Sequence, residues 1–365
     1  MTDSLAPQGP LQGIRVLEFT GIGPGPHCAM LLADMGADVL RIDRKGGNGW
    51  PNPVADRGRR VATVDIKSPE GLDFCLHAAD QADVLLEGFR PGLMERLGLG
   101  PDVLLARNPR LIYARVTGWG QDGPLAKAAG HDINYIALTG VLAAMGAPDA
   151  PPMPPLNLVG DFGGGSMLAA LGILAALFER TSSGKGQVVD ASIVDGAASL
   201  MSFFSGLFAR GRISVERDAN VLGGAAPFYR CYRCKDGKYI AVGALEPQFY
   251  AELVKRISGP DEQPGILETG RADPANWPEQ AETFAAIFAA KTRDEWCALL
   301  EGTDACFAPV LRLEETVDHP HIRERGVYRR DANGALHVTP VPRFSRTPGA
   351  ARPSMPIADM DEPWK

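Results

Sequence analysis

Two segments of the chain combine residue types that can move a proton. The hexapeptide GHDINY at 130–135 places His131 at the start of a predicted helix over 131–144. A helix N-terminus disfavours positive charge, so we expect the imidazole to be neutral and able to accept a proton. The second segment, 156–166, places Asp161 between an apolar run and three glycines that open an apolar helix. Desolvation there is expected to raise the pKa of this carboxyl and to keep part of it protonated near neutrality.

Each of these residues also has a purely structural interpretation. Asp161 could cap a helix, and His131 could be an ordinary surface or core residue. Taken singly, either residue is better explained by its structural interpretation. The chemical interpretation depends on finding both in one site.

Basic residues are concentrated in the first hundred residues, at or just after the C-terminal ends of predicted strands. Ligands of open α/β sheets bind at that edge. The chain as a whole is acidic, with a net charge of −7, so this concentration favours a small polyanionic ligand that carries phosphates. For any single residue, a solvated surface position is an equally good explanation. The residues are Arg44, Arg57, Arg59, Arg60, Lys67, Arg90 and Arg96.

A glycine-rich turn, GIGPGP at 21–26, has features of a dinucleotide-binding fingerprint. Asp43 follows at about the distance of a ribose-binding acid. However, Pro24 and Pro26 lack the backbone N–H groups that would hold a pyrophosphate. We therefore favour a tight strand-to-helix turn, with NAD binding as the less favoured alternative.

The elements that must position these residues alternate between strand and helix. This alternation is typical of a parallel sheet in a domain wound like a nucleotide-binding fold. We predict that this large α/β domain spans 1–190. Its predicted strands are 14–19, 38–42, 61–65, 83–86 and 111–116, and its predicted helices include 27–35, 69–79, 91–97 and 101–106.

The pattern changes after residue 190. The pattern predicts one long, largely apolar helix over 190–211, which with a linker makes up the segment 191–227. A small α+β domain is predicted over 228–325. The small domain begins with a hairpin signal, KDG at 235–237, and continues with helical segments at 247–257, 279–290 and 293–300. Residues 326–365 are predicted to be a return linker and C-terminal tail, of which 333–365 complete the large domain.

Composition and charge argue against several classes of protein. The acidic net charge, without a run of five like charges, disfavours a nucleic-acid or membrane partner. The longest uncharged run, 162–178, includes four glycines and is more typical of a buried helix than of a membrane span. No secretory or peroxisomal signal is recognisable, so we expect a cytoplasmic location. The six cysteines are scattered, and Cys231-x-x-Cys234 has no second pair at zinc-site spacing, so no metal site is predicted.

Taken together, the segments resemble the α-methylacyl-CoA racemases of the family III CoA-transferase superfamily. The resemblance extends from LQGIRV at 11–16 to FSR at 344–346. The specific segments between them are ADVLLEGFRPG at 82–92, TGWGQDGP at 117–124, GHDINY at 130–135, DFGGGSM at 161–167 and GKGQVVD at 184–190.

The resemblance implies that the chain inverts the 2-methyl stereocentre of branched acyl-CoA thioesters. His131 would be the base for the S-face and Asp161 the base for the R-face. Glu246, in ALEPQ at 244–248, matches the family's glutamate that hydrogen-bonds the histidine, and backbone N–H groups near His131 and Asp132 would stabilise the enolate. Family members are interlocked homodimers, and CoA is part of the substrate, so no metal or organic cofactor is expected.

CoA is expected to bind at positions that the family pattern places near the sheet and the histidine. This set includes part of the basic cluster described above. The residues are Arg44, Val64, Asp65, Ile66, Lys67, Gly88, Phe89, Arg90, Arg96, Gly130, Ile133, Asn134 and Tyr135.

Two alternatives remain. In a family III CoA transferase, Asp161 would be a nucleophile that forms an anhydride and then an aspartyl-CoA thioester. Transferases need no base at the position of His131. They also typically carry a glycine-rich loop beside the active site, and no such run occurs in 210–260. The racemase is therefore favoured. A noncatalytic acyl-CoA-binding protein is disfavoured because His131, Asp161 and Glu246 are all present.

Overall fold

The computed structural model describes residues 8–19, 21–47, 49–214, 216–217, 219–258, 267, 271, 273–331, 333–357 and 359–364. They form two units. The first contains the chain up to Leu142, the segment Pro155–Ser202 and the chain from Gly326 onward. The second contains Ala143–Pro154 and Phe203–Arg325. The first unit therefore runs past residue 190, the predicted limit of the large domain, and leaves out Ala143–Pro154.

The strands build one large parallel sheet and two small antiparallel ones. They are β1 (Arg15–Phe19), β2 (Asp38–Asp43), β3 (Arg59–Thr63), β4 (Val84–Glu87), β5 (Ile112–Thr117), β6 (Gln187–Ser192), β7 (Tyr229–Arg233), β8 (Tyr239–Gly243), β9 (Phe307–Val310), β10 (Tyr328–Arg330), β11 (Leu336–Val338) and β12 (Met355–Pro356). The large sheet has the order β12-β3-β2-β1-β4-β5-β6, and all its pairs are parallel. The mixed α/β prediction is confirmed.

The helices of the described residues cover both faces of the large sheet and one face of the β7-β8-β9 sheet. They are α1 (Pro24–Asp34), α2 (Pro69–Asp80), α3 (Leu93–Arg96), α4 (Pro101–Arg107), α5 (Asp132–Leu138), a π-helix (Leu158–Met167), α6 (Leu168–Ser183), α7 (Ile193–Leu200), α8 (Ser202–Phe208), α9 (Pro247–Ile257), α10 (Trp277–Ala289), α11 (Arg293–Leu300) and α12 (Pro320–Glu324).

Strand β1 shows why the large sheet is covered on both faces. Successive side chains of a strand point to opposite faces. Val16 belongs to an apolar cluster with residues of α1 and α6, and Leu17 belongs to a second cluster with residues of α2 and α4. Both side chains are fully buried. A parallel sheet with two apolar faces needs helices on both sides, as the alternating sequence pattern predicts.

Most predicted elements before residue 120 are confirmed to within a few residues, but the prediction of one helix beginning at 190 is wrong. Residues Gln187–Ser192 form β6, which pairs with β5 at the edge of the sheet. The helix begins only after Ser192, whose hydroxyl accepts the backbone N–H of Asp195 at 3.2 Å. This cap separates strand from helix inside one largely apolar run, so hydrophobic periodicity alone could not place the boundary.

The tail closes the other edge of the large sheet. Met355 and Pro356 pair with Arg60 and Val61 of β3. Further along, the Trp364 ring is buried, and its Nε1 donates to the carbonyl oxygen of Ala78 at 3.0 Å. The tail therefore becomes part of both the sheet and the second apolar cluster of the first unit.

The helical stretch Leu158–Ser183 is long and apolar enough to cross a membrane, with a mean hydropathy of 1.6. The core helix of a soluble protein can have the same properties. Here Ile173 and Leu177 pack in the core of the first unit, whereas Leu171 and Phe178 are exposed.

Candidate active site

His131 stands at the N-terminus of α5, as predicted. It has an extended conformation, and its carbonyl oxygen accepts the N–H of Asn134 at 2.8 Å. In return, Oδ1 of Asn134 accepts the backbone N–H of His131 at 3.0 Å. This reciprocal cap fixes the histidine backbone while its side chain remains exposed. The helix itself ends at Leu138, earlier than the predicted residue 144.

Tyr135 anchors the other side of α5. Its hydroxyl donates to the carbonyl oxygen of Gly130, and its ring meets the edge of Trp119 with centroids 4.8 Å apart. A Cβ at Gly118 would lie 2.0 Å from the Tyr135 ring, and one at Gly130 would lie 2.7 Å from it. The two glycines are therefore required for this ring to pack against the segment that leads to His131.

Asp161 lies in the first part of the π-helix. Such helices are rare in proteins, and those that occur are often found at functional sites. The N–H of Phe162 donates five residues back, to the carbonyl oxygen of Asn157, at 3.2 Å. Glycine makes this winding possible here, because α7 packs directly on the π-helix backbone. A Cβ at Gly196 would lie only 1.9 Å from the carbonyl oxygen of Gly164.

The Asp161 carboxyl is partly buried. Its Oδ2 accepts a hydrogen bond from Nδ2 of Asn157 at 3.1 Å. The same oxygen faces Gly23, where a Cβ would lie 3.2 Å away and where φ is +79°. Burial raises the pKa of Asp161, and the charge of Asp132 raises it further, against opposing effects of Asn157 and His131. The predicted direction of this shift is confirmed.

The carboxylate of Asp132 joins the two candidate bases. It follows His131 directly in the chain, and its Oδ1 accepts the backbone N–H of Asp161 at 2.6 Å. Gly160 allows this approach, because a Cβ there would lie 2.2 Å from the same oxygen. Helix α5, which begins directly after His131, is thus hydrogen-bonded to the π-helix that carries Asp161, so the structure places the two predicted acid/base residues on adjoining elements.

The site lies at a topological switch point of the sheet. The order β3-β2-β1-β4-β5-β6 is that of a dinucleotide-binding fold, in which ligands bind beyond the C-terminal ends of the two strands where the winding reverses, here β1 and β4. The turn after β1 contains Gly23, which faces Asp161, and its next residue, Pro24, faces Gly165. The π-helix therefore packs on this turn, which favours the structural interpretation over NAD binding.

Eight of the thirteen predicted CoA positions follow the C-terminal ends of β2, β3 and β4, Arg96 ends α3, and the other four lie in α5 or just before it. Arg44, Lys67, Arg90 and Arg96 are exposed, as are Asp65, Gly88, Ile133 and Asn134. Val64 is buried, and Ile66 and Phe89 pack against the second apolar cluster, so these three can offer a ligand mainly their backbone. The N–H of Phe89 already donates to Oε2 of Glu87 at 2.8 Å.

The interpretation of the whole basic cluster as ligand-binding is wrong for three residues. Arg57 pairs with Asp34, Arg59 with Glu18 and Arg60 with Asp38. Arg57 and Arg59 are buried, and the Glu18–Arg59 side chains are fully inaccessible. Buried charges are normally paired in this way, so these arginines are held in ion pairs within the fold. No spacing rule in the sequence separates them from the exposed cations.

Glu246 lies in the second unit, at the N-terminus of α9, and its side chain is exposed. Its predicted bond to His131 would join the two units and stays a prediction. Sequence reasoning missed Asn157 and assigned Gly23 only to a turn. The one available signal for Asn157 was its position four residues before Asp161 on a helical stretch.

Comparisons with known proteins agree with this architecture. The model of CoA-transferase family III matches residues 11–362. An alpha-methylacyl-CoA racemase from Mus musculus is 49% identical over 339 residues, 93% of this chain and 87% of that protein. The one from Homo sapiens is 47% identical over 342 residues, with the same two shares.

More distant relatives include a succinyl-CoA–D-citramalate CoA-transferase from Chloroflexus aurantiacus, 33% identical over 95% of this chain and 90% of that protein. Among solved structures, the orthorhombic form of Rv3272 from M. tuberculosis has a TM-score of 0.78 at 30% identity, covering 96% of this chain and 97% of that one. Because the family model extends over nearly the whole sequence and the fold agrees, the chain belongs to CoA-transferase family III.

Proposed function

We propose that the protein is a 2-methylacyl-CoA racemase that inverts the stereocentre by moving a proton on and off the α-carbon from opposite faces. The observation that carries this proposal is the hydrogen bond from the backbone N–H of Asp161 to Asp132, the neighbour of His131 in the chain, at the switch point of the sheet. Inversion through an enolate needs one acid/base group on each face, and each such group contributes about 10²- to 10⁴-fold. The two mammalian relatives are named as alpha-methylacyl-CoA racemases, which supports the same reaction.

In the proposed mechanism, Asp161 removes the α-proton of one enantiomer and His131 delivers a proton to the other face. The reverse direction exchanges the two roles. A raised pKa suits Asp161 to both tasks, because a group used as acid and as base works best with a pKa near the working pH. The N–H groups of Asp132 and Ile133, in the first turn of α5, are donors without helical acceptors and would stabilise the enolate oxygen.

Substrate binding is proposed to use the exposed cations after β2, β3 and β4. Arg44, Lys67 and Arg90 follow these strands, and Arg96 ends α3. They would hold the phosphates of CoA, so free acids would be poor substrates. The proposed reaction uses no metal or organic cofactor, because the CoA thioester itself acidifies the α-proton.

The experiment is to incubate each enantiomer of a 2-methylacyl-CoA separately in deuterium oxide. We expect both to be converted to the same mixture, with one deuterium at the α-carbon of the inverted product. Chiral chromatography and mass spectrometry measure configuration and label together. CoA transfer to an added acid without label, and an Asp161 adduct trapped by hydroxylamine, would instead establish the transferase alternative.

We further propose that the protein works as an interlocked homodimer in which Glu246 of one copy contacts His131 of the other. Exposed apolar side chains of the π-helix and α6 support a large interface in the first unit. Met167, Leu171 and Phe178 are all more than half exposed, Phe178 to 78%. Exposed apolar patches of this kind mark interaction sites.

A further inference from the structure

Asp132 is a buried carboxylate whose charge has no counter-ion. The residue is 8% exposed, and its Oδ2 is buried without a hydrogen-bond partner. Among the described residues, no Arg, Lys or His side chain forms an ion pair with it. Its stabilising contacts are the backbone N–H of Asp161, at 2.6 Å, and that of Gly160. Burying a charge in this way is costly and calls for an explanation.

The hydrogen bonds alone do not require a charge. An asparagine has the same shape, and its amide oxygen could accept the same N–H groups. Its amide nitrogen would occupy the place of Oδ2, which has no partner to lose. The carboxylate therefore adds only negative charge, and that charge lies against the residue whose proton transfers are proposed above.

We propose that Asp132 is a positioning residue for Asp161: its Oδ1 holds the backbone of the π-helix so that both bases keep one separation, and its charge keeps the Asp161 carboxyl ready to take up a proton. This inference rests on the proposed racemase function. It assigns to the Asp132 side chain a role separate from the backbone N–H that would bind the enolate.

The other titratable groups that the structure describes around the π-helix do not contact the Asp161 backbone as Asp132 does. His131 lowers the pKa of Asp161 and so opposes the effect of Asp132. The pKa of Tyr135 is raised first by burial and then by the charge of Asp161. His27 on α1 is bonded through Nδ1 to Ser166 at 2.6 Å, and Asp195 on α7 to Ser192. On the strands that pack against the π-helix, Arg115 is paired with Glu87 and Glu95, and Asp190 accepts the N–H of Gln121.

The test compares Asp132→Asn with wild type in both directions over a range of pH. Removing the charge lowers the pKa of Asp161. In the direction that uses Asp161 as base, the acid limb of kcat should move to lower pH. In the direction that uses Asp161 as acid, the alkaline limb of kcat should also move to lower pH. KM should stay within about twofold, because the variant changes no proposed CoA contact.

Asp195→Asn is the matched control, since it removes a carboxylate from another helix that packs on the π-helix. It should move neither limb. Gly160→Ala tests the tether without changing charge, because its Cβ would displace the Asp132 carboxylate. We expect kcat to fall by up to about tenfold. KM should be nearly unchanged, and the circular-dichroism spectrum should remain that of a folded protein.

Unmoved limbs in folded Asp132→Asn, or a uniform loss at every pH, would overturn the assignment of the charge. A wild-type kcat in folded Gly160→Ala would overturn the tether. Failure of the wild-type protein to interconvert the enantiomers would instead refute the proposed function, whatever the variants do.

Discussion

Asp132 is hydrogen-bonded to the backbone of Asp161, and the carboxyl groups of the two residues have different environments. Asp132 is buried and accepts backbone N–H groups, whereas Asp161 is only partly buried and is touched by the amide of Asn157. Burial raises the pKa of both. At the residue scale, burial therefore makes the charged form of both groups unfavourable in the folded protein, and for Asp161 the raised pKa suits the proposed proton transfer.

Asp161→Asn should be inactive but more stable than wild type at pH 7. Because burial raises the pKa of Asp161 in the folded protein, wild type loses stability as the pH rises from the ordinary Asp range through the raised value. The amide has no such loss. We expect a gain of roughly 1 kcal/mol per unit of pKa shift at pH 7, vanishing near pH 3, as measured by urea unfolding at both pH values. A variant less stable than wild type at pH 7 would contradict this.

His131→Ala should abolish inversion but leave one half-reaction. Asp161 can still remove and return a proton on its own face, so one enantiomer should exchange deuterium with retained configuration. The other enantiomer should exchange at least about 10²-fold more slowly. His77→Ala is the matched control, since His77 is exposed on α2 and bonded to Gln81. Inversion persisting in His131→Ala would exclude the two-base mechanism.

At the element scale, the site depends on close packing of backbone against backbone. The π-helix contacts α7 where two glycines face each other, and it contacts the turn after β1 through Gly23 and Gly165. The first contact leaves no room for a side chain, and the second is tight, because the nearest atoms would lie 3.2 Å from a Cβ at Gly23 and 3.0 Å from one at Gly165. The winding that points Asp161 into the site is thus held by tertiary packing and not by helix propensity.

Gly196→Ala should lower both stability and activity. Its Cβ would lie 1.9 Å from the carbonyl oxygen of Gly164, so α7 and the π-helix must separate. We expect the free energy of unfolding to fall by about 2 kcal/mol and kcat to fall with it. Gly206→Ala on α8 is the control, because nothing lies within 4 Å of its Cβ position. It should gain about 0.5–1 kcal/mol. Equal stability of the two variants would contradict the packing argument.

The same elements explain what could be predicted from sequence. Repeated apolar runs placed β1 to β5, and Pro69 after Ser68 marked the start of α2, because these signals are local. The strand β12 is two residues long and the π-winding depends on α7, so neither has a local signature. His131 and Asp161 were found from residue type, whereas their link through Asp132 required the structure.

At the scale of the whole molecule, each site is proposed to need two copies. Glu246 and His131 belong to different units of the chain. In a twofold dimer that exchanges these residues, each site contains the histidine of one copy and the glutamate of the other. Two substitutions carried on separate chains can then fall in the same site of a mixed dimer, and the other site of that dimer remains intact.

Coexpression of His131→Ala with Glu246→Ala chains tests this exchange. Random pairing should restore about a quarter of the wild-type sites, because half of the dimers are mixed and each has one intact site. Activity of the purified mixture is compared with that of each single variant. No gain over the single variants would place Glu246 and His131 of one site in the same chain.

The pairing of β12 with β3 has a consequence for biosynthesis. The hydroxyl of Ser354 bonds to the carbonyl oxygen of Asp56, 298 residues earlier in the chain. While the ribosome is still translating, β3 is therefore an open strand edge, and its outer row of peptide groups is available to other nascent chains. The large sheet can be completed only after the segment around residue 355 has emerged. Aggregation through this edge should accordingly be greatest in the interval between synthesis of β3 and synthesis of β12.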